Sequence, residues 1–280
     1  MNKMNKLIAL LLAALMCIAL CACGAKEKPA ENPYNLVTPG KLTVATSPDF
    51  APYEFYSIDS SGNPVLAGFD IALAGYIADK LGLTLEMVPI DFDGVLMELQ
   101  TKKVDLGVAG LSPDPERANS MDFSDIYYMG GQSFVTVKGS EGKFPTLADT
   151  NKAEYSIGAQ TGSIQVGLAE ENSPDADIIQ LAKVTDIIAE LLAGKLDGAY
   201  IETAVAESYS LNYPDLAIVL DVPYDVEGSA IGVSKGNEAL LKAVNEAIAA
   251  ALSDGSMDKF VAEANELAAG EIYEGLLEDK

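Results

Sequence analysis

Arg117 is the sole arginine among 18 basic side chains in a chain of 280 residues; every other basic residue is lysine. A guanidinium is planar, always charged, and grips a carboxylate through two parallel hydrogen bonds, which an ammonium cannot do. Its setting, Ser112-Pro-Asp114-Pro-Glu-Arg117, reads as an N-cap at Asp114 followed by proline at the first helical position. The free N–H groups and positive end of such a turn suit an anion beside the arginine. Taken alone, Arg117 reads either as that anion grip or as a surface arginine paired with an acid such as Glu116. A second anion cradle is readable in Gly158-Ala-Gln160-Thr-Gly162-Ser-Ile-Gln165, a strand, a glycine turn and a helix opening near Ser163. It has neither the GxGxxG spacing nor a P-loop lysine, so no nucleotide site is expected there.

A third signal is internal. Glu98-Leu-Gln-Thr-Lys-Lys-Val-Asp-Leu-Gly-Val-Ala-Gly110 matches Glu190-Leu-Leu-Ala-Gly-Lys-Leu-Asp-Gly-Ala-Tyr-Ile-Glu202 without gaps. Each copy reads as a helix end, a tight turn at a lysine, and a strand opened by Asp105 or Asp197. The match is too short for a solenoid repeat and suggests two similar α/β lobes, one strand ending at Gly110 and the other at Glu202. Ligands of open α/β sheets sit at such strand ends.

The elements that must position these residues alternate along the chain. Strands are expected at 41–46, 83–88 and 104–110, with helices at 70–81, closed by Gly82, and 92–101. After extended runs at 123–128 and 132–138, strands follow at 155–159, 178–182 and 197–201, with helices at 163–171 and 185–193. The stretch 237–267 reads as two helices broken at Asp254-Gly255. Such alternation implies parallel sheets with helices on both faces.

Composition removes whole classes of function. The formal charge of −24 excludes a general nucleic-acid binder, and no helix-turn-helix segment is readable. The same charge argues against electrostatic docking on anionic lipid. With no histidine, the chain lacks imidazole bases, Ser-His triads and histidine-rich zinc sites; no cofactor and no metal are expected. Apolar residues make up 49%, too many for a disordered chain.

All three cysteines, Cys17, Cys21 and Cys23, fall at the N-terminus, so no disulfide framework is expected in the folded part. Lys3 and Lys6 precede an apolar run from Leu7 to Leu20, short for a membrane span but suited to a secretory leader. The run ends in Leu20-Cys21-Ala22-Cys23, which resembles a bacterial lipobox with Cys23 as the lipidated residue. Residues 1–22 are thus expected as a lipoprotein signal peptide and 23–37 as a polar tether.

Five motifs in order then carry a wider resemblance: Thr46-Ser-Pro-Asp-Phe50-Ala-Pro-Tyr-Glu-Phe55, Gly68-Phe-Asp70, Asp91-Phe92-Asp-Gly94, Ala109-Gly-Leu-Ser112-Pro-Asp-Pro-Glu-Arg117 and Met121-Asp-Phe-Ser-Asp125. Over about 38–268 the chain resembles the polar amino acid-binding proteins of ABC importers, solute-binding family 3. The resemblance implies a two-lobed periplasmic-binding-protein type II fold, each lobe a mostly parallel sheet flanked by helices, with two crossover strands as hinge. Matching the crossovers to 132–138 and 228–235 gives a discontinuous lobe 1, 38–133 plus 232–280, and lobe 2 at 134–231.

The same resemblance implies the roles. Arg117 grips the ligand α-carboxylate, supported by N–H groups at Ser112 and at Ser163 or Ile164. Glu202, the Gly110 carbonyl and the Ser112 hydroxyl take the ammonium. Phe50 and Phe92 sandwich the side chain, with Ser47 and Gln160 nearby. Two departures bear on preference: Asp114 replaces the usual threonine, and Ser47 stands where binders of basic amino acids often carry aspartate, with Asp49 two positions on. A neutral ligand side chain is therefore favoured, a basic one being the other possibility. The implied protein is no enzyme: a monomeric receptor, lipid-anchored on the extracytoplasmic face of the cell membrane, delivering a free L-amino acid to an ABC permease. The alternative is an enzyme on the same fold, such as a cyclohexadienyl dehydratase, with Glu54 and Glu202 as candidate acids.

Overall fold

The computed structural model describes residues 32–225, 228–270 and 272; the expected signal peptide and the expected lipidation site Cys23 lie outside the described residues. Between Lys41 and Ala268 the expected alternation builds two five-stranded sheets and a small three-stranded one. The first sheet has the order β5 (Thr84–Pro89), β1 (Lys41–Thr46), β6 (Leu106–Gly107), β13 (Gly232–Ser234) and β7 (Met121–Phe123). β5, β1 and β6 run parallel, and β13 is antiparallel to both its neighbours. Five of the six residues of β1 are buried, as expected of a central parallel strand covered on both faces.

Helices α1 (Phe69–Leu81), α6 (Glu238–Ser253) and α7 (Ser256–Ala268) pack together beside this sheet, α1 burying Leu73 and Ile77. On its other side α2 (Phe92–Gln100) buries Val95 and Leu99 in a cluster with Ala45, Ala109 and Leu111. Gly82 ends α1 in the left-handed conformation, and the break at Asp254-Gly255 separates α6 from α7.

The second sheet repeats the arrangement: β10 (Asp177–Leu181), β9 (Ser156–Gln160), β11 (Gly198–Glu202), β8 (Gln132–Val137) and β12 (Leu216–Asp221). It is flanked by α3 (Ile164–Asn172), α4 (Val184–Leu192) and α5 (Thr203–Asn212). The chain passes from the first sheet to the second between Phe123 and Gln132 and returns between Asp221 and Gly232.

The internal match has a structural counterpart. β6 and β11 hold the same place, with a parallel strand on one side and an antiparallel one on the other. Asp105 donates its N–H to Thr43 and its carboxylate accepts the Thr43 N–H; Asp197 does the same with Ser156. The equivalence brings Gly110 and Glu202 to corresponding strand ends.

The small sheet, β2 (Asp49–Phe50), β3 (Glu54–Ile58) and β4 (Pro64–Ala67), was not expected from the sequence, nor were α5 and β12. Strand β6 spans only Leu106–Gly107 of the expected 104–110, although Asp105 and Val108 still donate to Thr43 and Ala45; the chain turns at Gly110, where φ is +55° and a Cβ would lie 2.8 Å from the Phe50 ring. Only glycine fits that corner.

Candidate functional site

Eight of the ten residues singled out as ligand contacts line one chamber between the two sheets: Phe50, Phe92, Gly110, Ser112, Arg117, Gln160, Ser163 and Ile164. The walls nearly meet, leaving a cavity of only about 10 Å³. Its ninth lining residue, Gln165, closes the glycine-turn motif in the sequence but was given no ligand role there; it is buried in the first turn of α3. Ser47 and Glu202 stand just outside the lining, each bonded to its neighbours.

The first-sheet wall carries the guanidinium. Arg117 opens a short 3₁₀ turn, Arg117–Asn119, and Asp114 Oδ1 accepts the N–H groups of Glu116 and Arg117. The Asp114 carboxylate is therefore spent as a cap. Arg117 is half-buried, with its guanidinium carbon 5.6 Å from the Phe92 ring centroid. Nη1 donates to the Ser112 carbonyl at 3.2 Å and Nη2 to the Gly162 carbonyl at 2.8 Å. None of the ion pairs among the described residues involves Arg117. Burial pushes its pKa down against the opposing effect of Asp114, so an anion arriving here is stabilised.

The second-sheet wall is the end of β9 and the start of α3. The Ser163 N–H and hydroxyl both donate to the Gln160 carbonyl, at 3.1 and 2.7 Å. Of the N–H groups expected to support the carboxylate, at Ser112 and at Ser163 or Ile164, Ser163's is thus occupied. Ile164 is the first residue of α3, and its N–H has no partner within the helix. The positive end of α3 faces the chamber beside Arg117.

Gln160 defines the floor. Its Nε2 donates to Asp49 Oδ2 at 3.2 Å and to the Ala182 carbonyl at 3.1 Å, which uses both amide hydrogens. The atom left for a ligand is the carbonyl oxygen, an acceptor. Asp49, 4% exposed, also receives the Ser47 hydroxyl and the Val184 N–H. Burial raises the Asp49 pKa to about 6 against these donors. Gln165 donates to Gln132 Oε1 at 2.7 Å, tying the chamber to the first residue of β8.

Glu202, 4% exposed, caps α5 by accepting the Val205 N–H at 2.8 Å; its other oxygen takes the Tyr53 hydroxyl at 3.0 Å. Burial pushes its pKa up to about 7 against those donors. Gly130 passes so close that a Cβ there would lie 2.7 Å from Glu202 Oε1. Outside, the Ser112, Arg117, Ser163 and Ile164 wall opens into a larger cleft lined by Asp114, Glu116, Glu170, Glu171 and Asp225. No group of side chains suited to hold a metal ion occurs among the described residues, and no described helix is long and apolar enough to cross a membrane.

A guanidinium and a helix N-terminus thus face two aromatic rings and an amide oxygen across one chamber. Residues 42–264 match bacterial extracellular solute-binding proteins, family 3. This chain belongs to that family. The arginine-binding extracellular protein ArtP of Bacillus subtilis is 33% identical over 260 residues, covering 91% of this chain and 96% of the relative. The substrate-binding protein AbpA of Streptococcus pneumoniae, solved bound to L-arginine, has a TM-score of 0.79 and 33% identity, covering 83% of this chain and 97% of that one. The ancestral amino acid-binding protein AncCDT-1, described as a precursor of cyclohexadienyl dehydratase, has a TM-score of 0.71 and 31% identity, covering 80% of this chain and 95% of that one. The two-lobed α/β architecture expected from the sequence is the fold of this family 3 protein.

Proposed function

We propose that this family 3 protein is the substrate-binding component of an amino acid ABC importer, closing around one free L-amino acid and handing it to the permease. The observation that carries the reading is the only guanidinium of the chain, half-buried and bonded to carbonyl oxygens alone, beside the N-terminus of α3. That pair of positive features takes the α-carboxylate. The Gly110 carbonyl, the Ser112 hydroxyl and Glu202 take the ammonium. Glu202 lies behind the lining, so a small movement of its carboxylate toward the chamber accompanies binding. Cys23 carries the lipid anchor on the extracytoplasmic face, and the protein acts as a monomer without catalysis.

The preference for a neutral side chain rested on the lack of a carboxylate at the far end of the pocket. Asp49 is buried directly behind Gln160, and Gln160 presents only its oxygen, so that end favours hydrogen-bond donors. The rings of Phe50 and Phe92 add faces for a flat cation. Arginine fits this best, in keeping with the names of the relatives; glutamine, whose amide also donates, is the second reading.

A thermal-shift screen of the twenty amino acids tests the function, because a ligand that binds only the folded state raises the melting temperature. A rise with arginine or glutamine is expected. No rise with any amino acid overturns the proposal.

A further inference from the structure

Behind the chamber lies a second group of polar side chains that the binding reading does not use. Glu54 in β3 and Asp70 in α1 are both fully buried. Glu54 Oε1 and Oε2, Asp70 Oδ1 and the Tyr127 hydroxyl have no conventional donor–acceptor partner among the described residues. They face one another instead. Two carboxyl groups satisfy each other only when one proton lies between them; two buried carboxylates without a cation would repel strongly. Among the described residues no lysine or arginine forms an ion pair with either.

The remaining Asp70 oxygen, Oδ2, accepts the Gly110 N–H at 2.9 Å. Gly110 is the corner whose carbonyl the proposed function assigns to the ligand ammonium, and it lies close enough to the Phe50 ring to exclude a Cβ. We infer that Asp70 is a positioning residue for ligand binding: with Glu54 holding the shared proton, its carboxylate fixes Gly110, and through Gly110 both the ammonium acceptor and Phe50. The charged Asp70 donates no hydrogen bond and accepts a strong one, as charge-assisted bonds are roughly twice as strong as neutral ones.

Electrostatics agree with this distribution of the proton. Burial, then the charges of Asp70 and Asp49, hold Glu54 well above the ordinary carboxyl range. Asp70 rises only to about 6, because burial is opposed by Tyr127, the Gly110 N–H and Glu54. The ionisable groups facing the pair are Asp49 from β2, Tyr53 beside β3, and Tyr127 from the segment before β8.

The inference rests on the reading of the chamber as an amino acid site, and the test separates the two. L-Arginine is titrated calorimetrically into the full chain, its Glu54→Gln variant and the Glu54→Gln/Asp70→Asn double variant. Glutamine mimics the protonated acid, so Glu54→Gln should bind within about threefold of wild type, whereas losing the Asp70 charge should weaken binding by at least about fivefold. The double variant should melt no lower than wild type, since it removes a buried charge. That split between affinity and stability is one that a merely structural role does not produce.

A double variant that binds like wild type, or a Glu54→Gln variant as weak as the double one, overturns the positioning role and leaves the chamber reading standing. A wild-type protein that binds none of the twenty amino acids removes both. Should the variants fail to fold, the amide proton of Gly110 in wild type reports directly. It should titrate with a carboxyl near pH 6, and a flat response from about pH 4 to about pH 8 overturns the inference.

Discussion

Arg117 Nη2 donates to the carbonyl oxygen of Gly162 at 2.8 Å, joining the first-sheet wall of the chamber to the turn that opens α3 in the second. The bond joins the two sheets through the residue proposed to grip the ligand. A carboxylate entering between Arg117 and α3 meets a guanidinium already oriented by two carbonyls.

Truncating one partner of a buried, hydrogen-bonded charge pair typically costs about 2–5 kcal/mol, so Arg117→Ala should weaken amino acid binding by more than about tenfold. Arg117→Lys should also lose affinity, because an ammonium cannot bond Ser112, Gly162 and a carboxylate in one plane. Calorimetry decides it: Arg117→Lys binding as tightly as wild type removes the bidentate role.

Stability should fall as pH rises through the neutral range. Asp49 and Asp70 are raised to about 6 and Glu202 to about 7, from ordinary values of 3.8 and 4.5. A carboxyl with a higher pKa folded than unfolded binds more protons in the folded state between the two values. Its stabilising contribution is complete below the unfolded value and is lost as pH climbs through the folded one. The melting temperature of the unliganded protein should therefore be several degrees lower at about pH 8 than at about pH 5. An equal or higher value at the alkaline end contradicts the burial of these acids.

Asp49→Asn tests the side-chain end of the pocket. The amide keeps the size but removes the charge that holds one of the two Gln160 amide hydrogens. Arginine should lose at least about fivefold in affinity and glutamine much less, since charge-assisted hydrogen bonds are roughly twice as strong as neutral ones. Equal losses for both ligands in competition binding would show that Asp49 does not discriminate.

The cleft outside the chamber carries Asp114, Glu116, Glu170, Glu171 and Asp225. A field of one sign raises the encounter rate of an opposite charge, and salt screens it. Stopped-flow association of arginine should slow as ionic strength rises, while that of glutamine changes little. A salt-independent arginine rate denies the cleft any steering role.

Much of this was legible beforehand, for identifiable reasons. A parallel strand buried on both faces leaves a compact β-branched run, and glycine breaks mark helix ends, so β1, α1 and the α6–α7 pair were read nearly to the residue. Gly110 and Glu202 were found because the two halves share a local pattern that both sheets use alike. The small sheet escaped because its strands are short and interrupted by Pro52, Gly62 and Pro64. Helix α5 escaped because Thr203–Asn212 carries little hydrophobic periodicity. The direction of Asp49 was unreadable in principle. It is set by Gln160 and Val184, more than a hundred residues away, and no local pattern encodes that contact.

The central claim is that Arg117 holds the α-carboxylate of an amino acid, and the sharpest measurement compares L-arginine with agmatine, the same molecule without that carboxylate. Calorimetric titration of wild type should give arginine an advantage of about thirtyfold or more, which is about 2 kcal/mol, the lower end for one buried charge pair. The advantage should largely vanish in Arg117→Ala. Agmatine binding wild type as tightly as arginine, or an advantage that survives Arg117→Ala unchanged, would contradict the account.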